Sequence, residues 1–165
     1  MTERPGALVL AEARPQALLI AGVRLALAAA GLAASIAFGL ARGPAAGLFA
    51  CGALVLLLAV YGGDRRRRSA LRFEQLGPVP AGALLEPRRR ALARASYPST
   101  IGLTVLMAVA LWPQPGLAAL LAGVLAGLGG MSIAGALRLG AWERERNARI
   151  LIEAGRAERI YEAPR

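Results

Sequence analysis

The stretch that decides the fold is LAALLAGVLAGLGGMSIAGALRL, residues 117–139. It has no charged side chain before Arg138, and it meets the roughly 20 residues that a hydrocarbon core about 30 Å thick requires. We therefore predict a transmembrane helix here. Trp142 follows it at a position typical of the interface between lipid and water.

Three further apolar segments precede this one. The first covers residues 17–41, and the second covers residues 45–63 after a short Arg-Gly-Pro turn. The third is weaker, because its unbroken apolar run, residues 101–112, is too short to cross a bilayer alone. It crosses only if it recruits residues 91–100, and a re-entrant segment is the alternative.

These segments predict an all-α integral membrane protein, a four-transmembrane-helix bundle with cytoplasmic N- and C-termini. The chain divides into an N-terminal cytoplasmic segment (1–16), a first transmembrane hairpin (17–63) and an Arg-rich cytoplasmic loop (64–95). A second transmembrane hairpin (96–139) and a cytoplasmic C-terminal helix (140–165) follow. Within the loop, a Gly-Pro-Val-Pro corner separates two short predicted helices, residues 67–76 and 86–96.

The arginines beside the predicted spans set the orientation. Seventeen of them belong to the N-terminal segment, the central loop and the C-terminal segment, and Arg138, at the end of the fourth span, makes eighteen on that side; the two short loops on the opposite side contain only Arg42. Basic residues concentrate on the cytoplasmic side of membrane proteins. We therefore expect a multi-pass protein of the bacterial cytoplasmic (inner) membrane with both termini inside.

Composition agrees with a membrane protein. Of the 165 residues, 56% are hydrophobic and 18% are charged, below the roughly one quarter typical of soluble domains. All 20 basic residues are arginine, which we attribute to a GC-rich genome because Ala, Gly, Pro and Leu also abound. The net charge of +10 fits membrane orientation and contact with anionic phospholipids, so we do not expect nucleic acid as a partner.

Small residues recur at a spacing of four, which places them on single helix faces where helices in lipid approach closely. The first helix has one such face with Gly22, Ala26, Ala30 and Ala34, and another with Gly31, Ser35 and Gly39. The fourth has Gly123 and Gly127 beside Ala118, Ala122, Ala126, Gly130 and Ala134. We hypothesise that these two helices have more small faces than one bundle needs; the alternative is chance in a chain rich in Ala and Gly.

The sequence does not favour catalytic or metal chemistry. It has no His, and every Asp and Glu lies outside the predicted spans. Cys51 is the single cysteine, so an internal disulfide or a cysteine metal site cannot form. We predict no enzyme activity and no cofactor, and the lack of an intramembrane carboxylate argues against a proton-coupled transporter.

Arg24 is the one charged residue in the interior of a predicted span, since Arg138 lies at the very end of the fourth. Such a charge indicates a functional contact, here with an anion, a lipid headgroup or a partner subunit. The alternative is that Arg24, about two turns from the cytoplasmic end, reaches the interface with its long side chain.

A polar group begins the third predicted span and consists of Tyr97, Ser99, Thr100 and Thr104. Hydroxyls in membrane helices commonly bond a carbonyl three or four residues back, and Pro98 leaves one such carbonyl free. The alternative is a polar cavity or pore lining.

Two arginine clusters and an apolar stripe are candidate contacts in the polar segments. The clusters are Arg65, Arg66, Arg67, Arg68, Arg88, Arg89 and Arg90. They could bind lipid headgroups or a partner protein, and the alternative is that they only set the orientation of the chain in the membrane. The stripe, which is either a docking surface or part of a solvated helix, is Ile150, Leu151, Ile152, Ile160 and Tyr161.

The absent chemistry favours a non-catalytic subunit or assembly factor of a larger bacterial inner-membrane complex. Such a protein packs its helices against other membrane subunits and contacts a cytoplasmic partner through its arginine loop and C-terminal helix. A small homo-oligomeric channel or transporter is the first alternative. An anionic-lipid-interacting membrane protein is the second.

Overall fold

The computed structural model describes residues 9–61, 77–80, 83–85, 99–153 and 160–164. Its helices are α1 (Ala13–Ala37), α2 (Arg42–Tyr61), α3 (Ser99–Ala110) and α4 (Pro115–Arg146). Its strands are β1 (Val9–Glu12), β2 (Gly77–Pro78), β3 (Leu84–Leu85), β4 (Ala148–Glu153) and β5 (Ile160–Pro164).

Three of the helices, α1, α2 and α4, are long and apolar enough to cross a membrane. The described chain is mostly helical and compatible with a multi-pass membrane protein, as the sequence predicts. Helix α3 has 12 residues and a length of about 18 Å, which alone is shorter than a hydrocarbon core. Residues 91–98, which belong to the stretch that the third span was predicted to recruit, lie outside the described residues, so a fourth crossing stays a prediction. The short helices predicted at 67–76 and 86–96 also lie outside them.

Helix α4 is the centre of the bundle. It contacts α1, α2 and α3, whereas α1 contacts α2 and α3 only sparsely. Of its predicted small residues only Gly130 is exposed, and Ala118, Ala122, Gly123 and Gly127 are buried. The hypothesis of a spare small face therefore does not hold for α4, since its small residues are used within the chain.

Helices α2 and α4 approach each other through reciprocal glycine contacts. A Cβ built at Gly123 would overlap the carbonyl oxygen of Phe49, and one built at Gly52 would overlap the carbonyl oxygen of Leu120. A Cβ built at Gly127 would lie 3.1 Å from the carbonyl oxygen of Ala53 and 3.1 Å from Leu56 Cδ2. Only glycine permits backbones this close, and such contact replaces the hydrophobic driving force that lipid does not provide.

Helix α1 packs on the other side of α4 and accepts a side chain from α3. A Cβ built at Gly31 would overlap the Met107 sulfur atom, so the Met107 side chain packs directly against α1 only because residue 31 is glycine. Ser35 is buried one turn later and donates a hydrogen bond to the Gly31 carbonyl oxygen at 2.8 Å. The apolar core here consists of Ala28, Met107, Ala110, Ala118, Leu121, Ala122 and Leu125.

Gly39 does not pack between helices as the spacing predicted. Helix α1 ends at Ala37, and a Cβ at Gly39 would meet no atom within 4 Å. Its φ of 98° shows instead that it supplies the backbone conformation of the turn into α2, a conformation that side chains disfavour. Beside this turn, Phe38 packs edge-on against Trp112 with ring centroids 6.3 Å apart, which joins the two turns of the bundle.

A five-stranded mixed sheet closes the opposite end, which we call the sheet end. Its strand order is β2-β5-β4-β1-β3, with antiparallel β1/β4 and β4/β5 pairs and parallel β1/β3 and β2/β5 pairs. Strand β1 runs directly into α1, and β4 follows α4 after one residue. The N-terminal, central and C-terminal polar segments therefore meet at one end of the bundle, although the side of the membrane stays a prediction.

The C-terminal segment differs from the helix predicted for residues 140–165. Helix α4 ends at Arg146, and Asn147 adopts the left-handed conformation that ends many helices, with φ 50°. The β-branched Ile150 and Ile152 then favour a strand. Ile150 and Leu151 are buried at 1% and 6% exposure, so these two residues of the predicted docking stripe are covered by the chain itself, whereas Ile152 and Tyr161 are half-buried.

Two glycines of α4 make a matched test of this packing. We expect Gly123→Ala to lower the free energy of unfolding by about 1–3 kcal/mol, because its methyl group would overlap the Phe49 carbonyl. Gly130→Ala, where a Cβ meets nothing within 4 Å, should be neutral or stabilise by up to about 1 kcal/mol. Denaturant titration in detergent measures both, and equal effects at the two positions would contradict the packing.

Candidate functional site

A polar cluster centred on Arg24 joins three helices inside the bundle. Arg24 lies on the inward face of α1, in register with the buried Ala21, Ala28 and Gly31. Its Nε donates a hydrogen bond to Thr100 Oγ1 of α3 at 3.0 Å, and its Nη1 donates to Ser132 Oγ of α4 at 3.3 Å. We call these three residues the Arg24 cluster.

One of the two hydroxyl groups that accept from Arg24, that of Ser132, is itself held by a helix carbonyl. Ser132 donates to the Leu128 carbonyl oxygen at 3.0 Å, so its lone pairs are available to the guanidinium. Thr104 donates to the Thr100 carbonyl oxygen at 2.7 Å, the back-bond expected of a hydroxyl in a membrane helix. The Ser132 hydroxyl is thus oriented by the helix that carries it.

The predicted polar group of the third span is divided in the structure. Thr100 is buried against Arg24, Thr104 bonds its own helix, and Ser99 is exposed. Tyr97 lies outside the described residues. Among the described members, these positions do not gather around one cavity.

Ser132 was missed by the sequence reasoning although a signal was present. It is the one hydroxyl side chain between residues 117 and 137, in a stretch otherwise made of Ala, Gly, Leu, Val, Ile and Met. An isolated serine opposite an intramembrane arginine is a candidate partner, but the antiparallel register of α1 and α4 was needed to pair them.

The position of Arg24 is compatible with the snorkelling alternative, whereas a contact with an anion, a lipid headgroup or a partner subunit stays a prediction. Gly129 of α4 packs against Leu25 and the Ala21 carbonyl of α1, so Gly129 lies at about the same level of the bundle as Arg24. Ser132 follows Gly129 by three residues and therefore lies roughly 4.5 Å nearer the sheet end. The Arg24 side chain therefore leans toward the sheet end, as a snorkelling residue would. Its hydrogen bonds nevertheless hold the guanidinium between α3 and α4.

The described residues provide no carboxylate to the Arg24 guanidinium. The ion pairs among them are Arg14 with Glu143, at 3.9 Å, and Arg149 with Glu12, at 3.2 Å, both at the sheet end. Glu143 lies eleven residues beyond Ser132, about 16 Å along α4. Within this part of the chain, Arg24 is a half-buried cation with neutral partners only.

Glu143 fastens the sheet to the bundle. This buried carboxylate, 7% exposed, accepts a hydrogen bond from the Ile150 backbone nitrogen at 3.2 Å and pairs with Arg14 at the start of α1. Gly140, one turn earlier, leaves room for the Arg14 guanidinium. A single side chain thus connects α4, α1 and β4.

The arginine clusters Arg65–Arg68 and Arg88–Arg90 lie outside the described residues. Strands β2 and β3, which the chain forms between them, belong to the sheet. In the described segments, no group of three or more His, Cys, Asp or Glu residues is placed to hold a metal ion. Cys51 is exposed on α2.

No protein-family model matches the chain, and neither the curated proteins nor the solved structures compared with it gave a match. The functional reasoning therefore rests on the residues and their geometry.

Glu143 gives a second test. We expect Glu143→Ala to lower the free energy of unfolding by about 1–3 kcal/mol, because it leaves the buried Ile150 N–H without its acceptor. Glu145→Ala, at an exposed position two residues away, should change it by less than about 0.5 kcal/mol. If thermal or denaturant unfolding in detergent gave the same result for both, Glu143 would not be the fastening residue.

Proposed function

We propose that this protein is a non-catalytic subunit or assembly factor of a larger complex in the bacterial inner membrane. The observation that carries the proposal is the outward face of α1, which is made of glycine and alanine. This surface, which we call the α1 outer face, consists of Gly22, Ala26, Ala29, Ala30 and Ala33, all exposed.

The α1 outer face differs from the outward face of α3. There the exposed residues are mostly large aliphatics, namely Ile101, Val105, Leu106 and Val109. Two large exposed residues of α1, Leu18 and Leu19, lie toward the sheet end instead, and a third, Leu25, lies at the edge of the face, where it packs against Gly129 of α4. Small exposed residues also begin α2, so the small surface belongs to the first hairpin.

Lipid tails solvate a leucine-rich surface as well as a protein does, so large aliphatics suit a face that lipid covers. Glycine and alanine suit a face on which another helix backbone comes close. This chain uses that mode internally, where Gly123 meets the backbone of Phe49. The α1 outer face has the same composition and no partner helix among the described residues.

The sheet end complements this membrane contact. It brings the polar segments together, and their arginines favour a cytoplasmic location near anionic phospholipid. The homo-oligomeric channel is less well supported, because Thr100 and Ser132 bond Arg24 inside one chain rather than lining an outer surface.

The test is complex assembly in native membranes. The tagged full chain is cross-linked, purified and compared with the double variant Ala26→Leu/Ala30→Leu. We expect a stoichiometric foreign subunit whose recovery falls about tenfold or more in the variant, since loss of about 1.4 kcal/mol of packing suffices.

Ala108→Leu is the matched control, because Ala108 is exposed among the large aliphatic residues of α3. It should leave recovery unchanged. A purely homo-oligomeric product would favour the channel alternative, and equal recovery from all three proteins would contradict a role for the α1 outer face.

A further inference from the structure

The Arg24 guanidinium retains hydrogen-bonding capacity after its two protein contacts. A guanidinium has five N–H donors, and the bonds to Thr100 and Ser132 use one on Nε and one on Nη1. Three donors remain, one on Nη1 and two on Nη2. They form part of the planar fork that binds two oxygens of a phosphate or a carboxylate at once.

The charge also favours an anion. An ionised group in an apolar environment is costly unless it is paired, and the neutral hydroxyls of Thr100 and Ser132 orient the cation without neutralising it. The nearest described carboxylate along α4 is Glu143, about 16 Å from Ser132 along the helix axis. It already contacts Arg14 and the Ile150 nitrogen. An anion bound at Arg24 would supply the missing charge.

The cluster is open to the membrane on one side. Arg24 is half-buried, and Ser99, next to Thr100 in the chain, is exposed. Helices α1 and α3 contact each other much less than α1 contacts α4, so Arg24 lies on a sparsely packed side of the bundle, which we call the gap between α1 and α3. The side chain leans toward the sheet end, where the headgroup layer on that side lies.

We propose that Arg24, held by Thr100 and Ser132, binds the phosphate group of an anionic amphiphile at the gap between α1 and α3. Its hydroxyl partners fix the guanidinium so that the remaining N–H groups face the phosphate oxygens. The lipid's acyl chains then cover exposed aliphatic side chains of α3, such as Ile101, which follows Thr100.

Phosphate is favoured over a carboxylate from a partner subunit by position and by charge. Arg24 leans toward the end of the bundle where the arginine-bearing segments lie, and these arginines concentrate anionic headgroups at that surface. A headgroup there needs only a local inward displacement to reach a snorkelling arginine. The proposal does not depend on the partner helix proposed for the α1 outer face, since Arg24 lies on the opposite side of α1.

The experiment measures lipid retention by the full chain. The protein is placed in nanodiscs of mixed phosphatidylglycerol and phosphatidylcholine, extracted into detergent, and its bound lipid is counted by native mass spectrometry. We expect selective retention of phosphatidylglycerol, and a fall of about tenfold in Arg24→Gln, which keeps polar contacts but lacks the charge. Arg138→Gln, at an exposed arginine of α4, is the matched control and should retain the lipid.

Two further variants keep the test decisive if Arg24→Gln folds poorly. Ser132→Ala removes one anchor of the guanidinium and should weaken retention while the charge remains. Arg24→Lys keeps the charge but loses the planar fork, and should retain less lipid than the natural chain and more than Arg24→Gln.

A separate arm identifies the source of the phosphate. Phosphorus NMR of lipid-depleted protein with inorganic phosphate should show weak binding at most if a phospholipid is the ligand. Binding of inorganic phosphate that displaces phosphatidylglycerol and is lost in Arg24→Gln would support the same site with a free anion as its ligand.

Three results would overturn the proposal. They are equal retention of the two lipids by the natural chain, unchanged retention in both Arg24→Gln and Ser132→Ala, and loss of a protein subunit from Arg24→Gln without loss of lipid. The last would assign Arg24 to an ion pair with a partner carboxylate.

Discussion

The close backbone contact between α2 and α4 is the constraint on which the rest of the structure depends. In lipid, apolar side chains gain little by leaving the solvent, so helices associate only where their surfaces fit closely. Gly123 and Gly52 each place backbone against a carbonyl of the opposite helix, and side chains at these positions would separate the helices. Helix α4 accommodates α1, α2 and α3 because much of its surface is glycine and alanine.

The sheet end adds a different kind of constraint. Strand β1 continues into α1 and pairs with β4, which follows α4, so backbone hydrogen bonds connect the start of α1 to the end of α4. Glu143 connects this sheet to both helices. The two outer strands, β2 and β3, have two residues each, so the sheet presents little unpaired edge to a neighbouring chain. The sheet end is therefore better suited to contact partners through side chains than through strand addition.

The apolar helices and several packing residues were predictable from sequence because each has a local signature. Residues 117–139 read directly as a membrane helix, and the four-residue spacing of Gly123 and Gly127 identified a face that the structure uses. Gly31 and Ser35 were found in the same way, whereas Gly39 continued the spacing past the end of the helix into a turn. Arg24 was singled out because a charge is rare in such a segment.

The sheet and the partners of Arg24 were not predictable from local pattern. Three consecutive apolar residues, Ile150 to Ile152, fit neither a helical nor an alternating period. They form the strand β4, which pairs with the nearby β5 and with β1, at the other end of the sequence. Ser132 is 108 residues from Arg24, and nothing short of the α1·α4 register brings them together. Long-range pairing was therefore the missing information in both cases.

Cysteine cross-linking in native membranes tests the α2·α4 contact most directly. The first cysteine pair is Leu56→Cys/Gly127→Cys, made in a Cys51→Ser background. In the natural chain, Leu56 Cδ2 lies 3.1 Å from a Cβ built at Gly127, so the two new thiols would be close to each other. Leu54→Cys/Gly127→Cys is the matched pair, because Leu54 is exposed on α2. The packing described here predicts rapid intramolecular cross-linking of the first pair and little of the second. Equal cross-linking of both pairs, or cross-linking of the first pair only between chains, would contradict it.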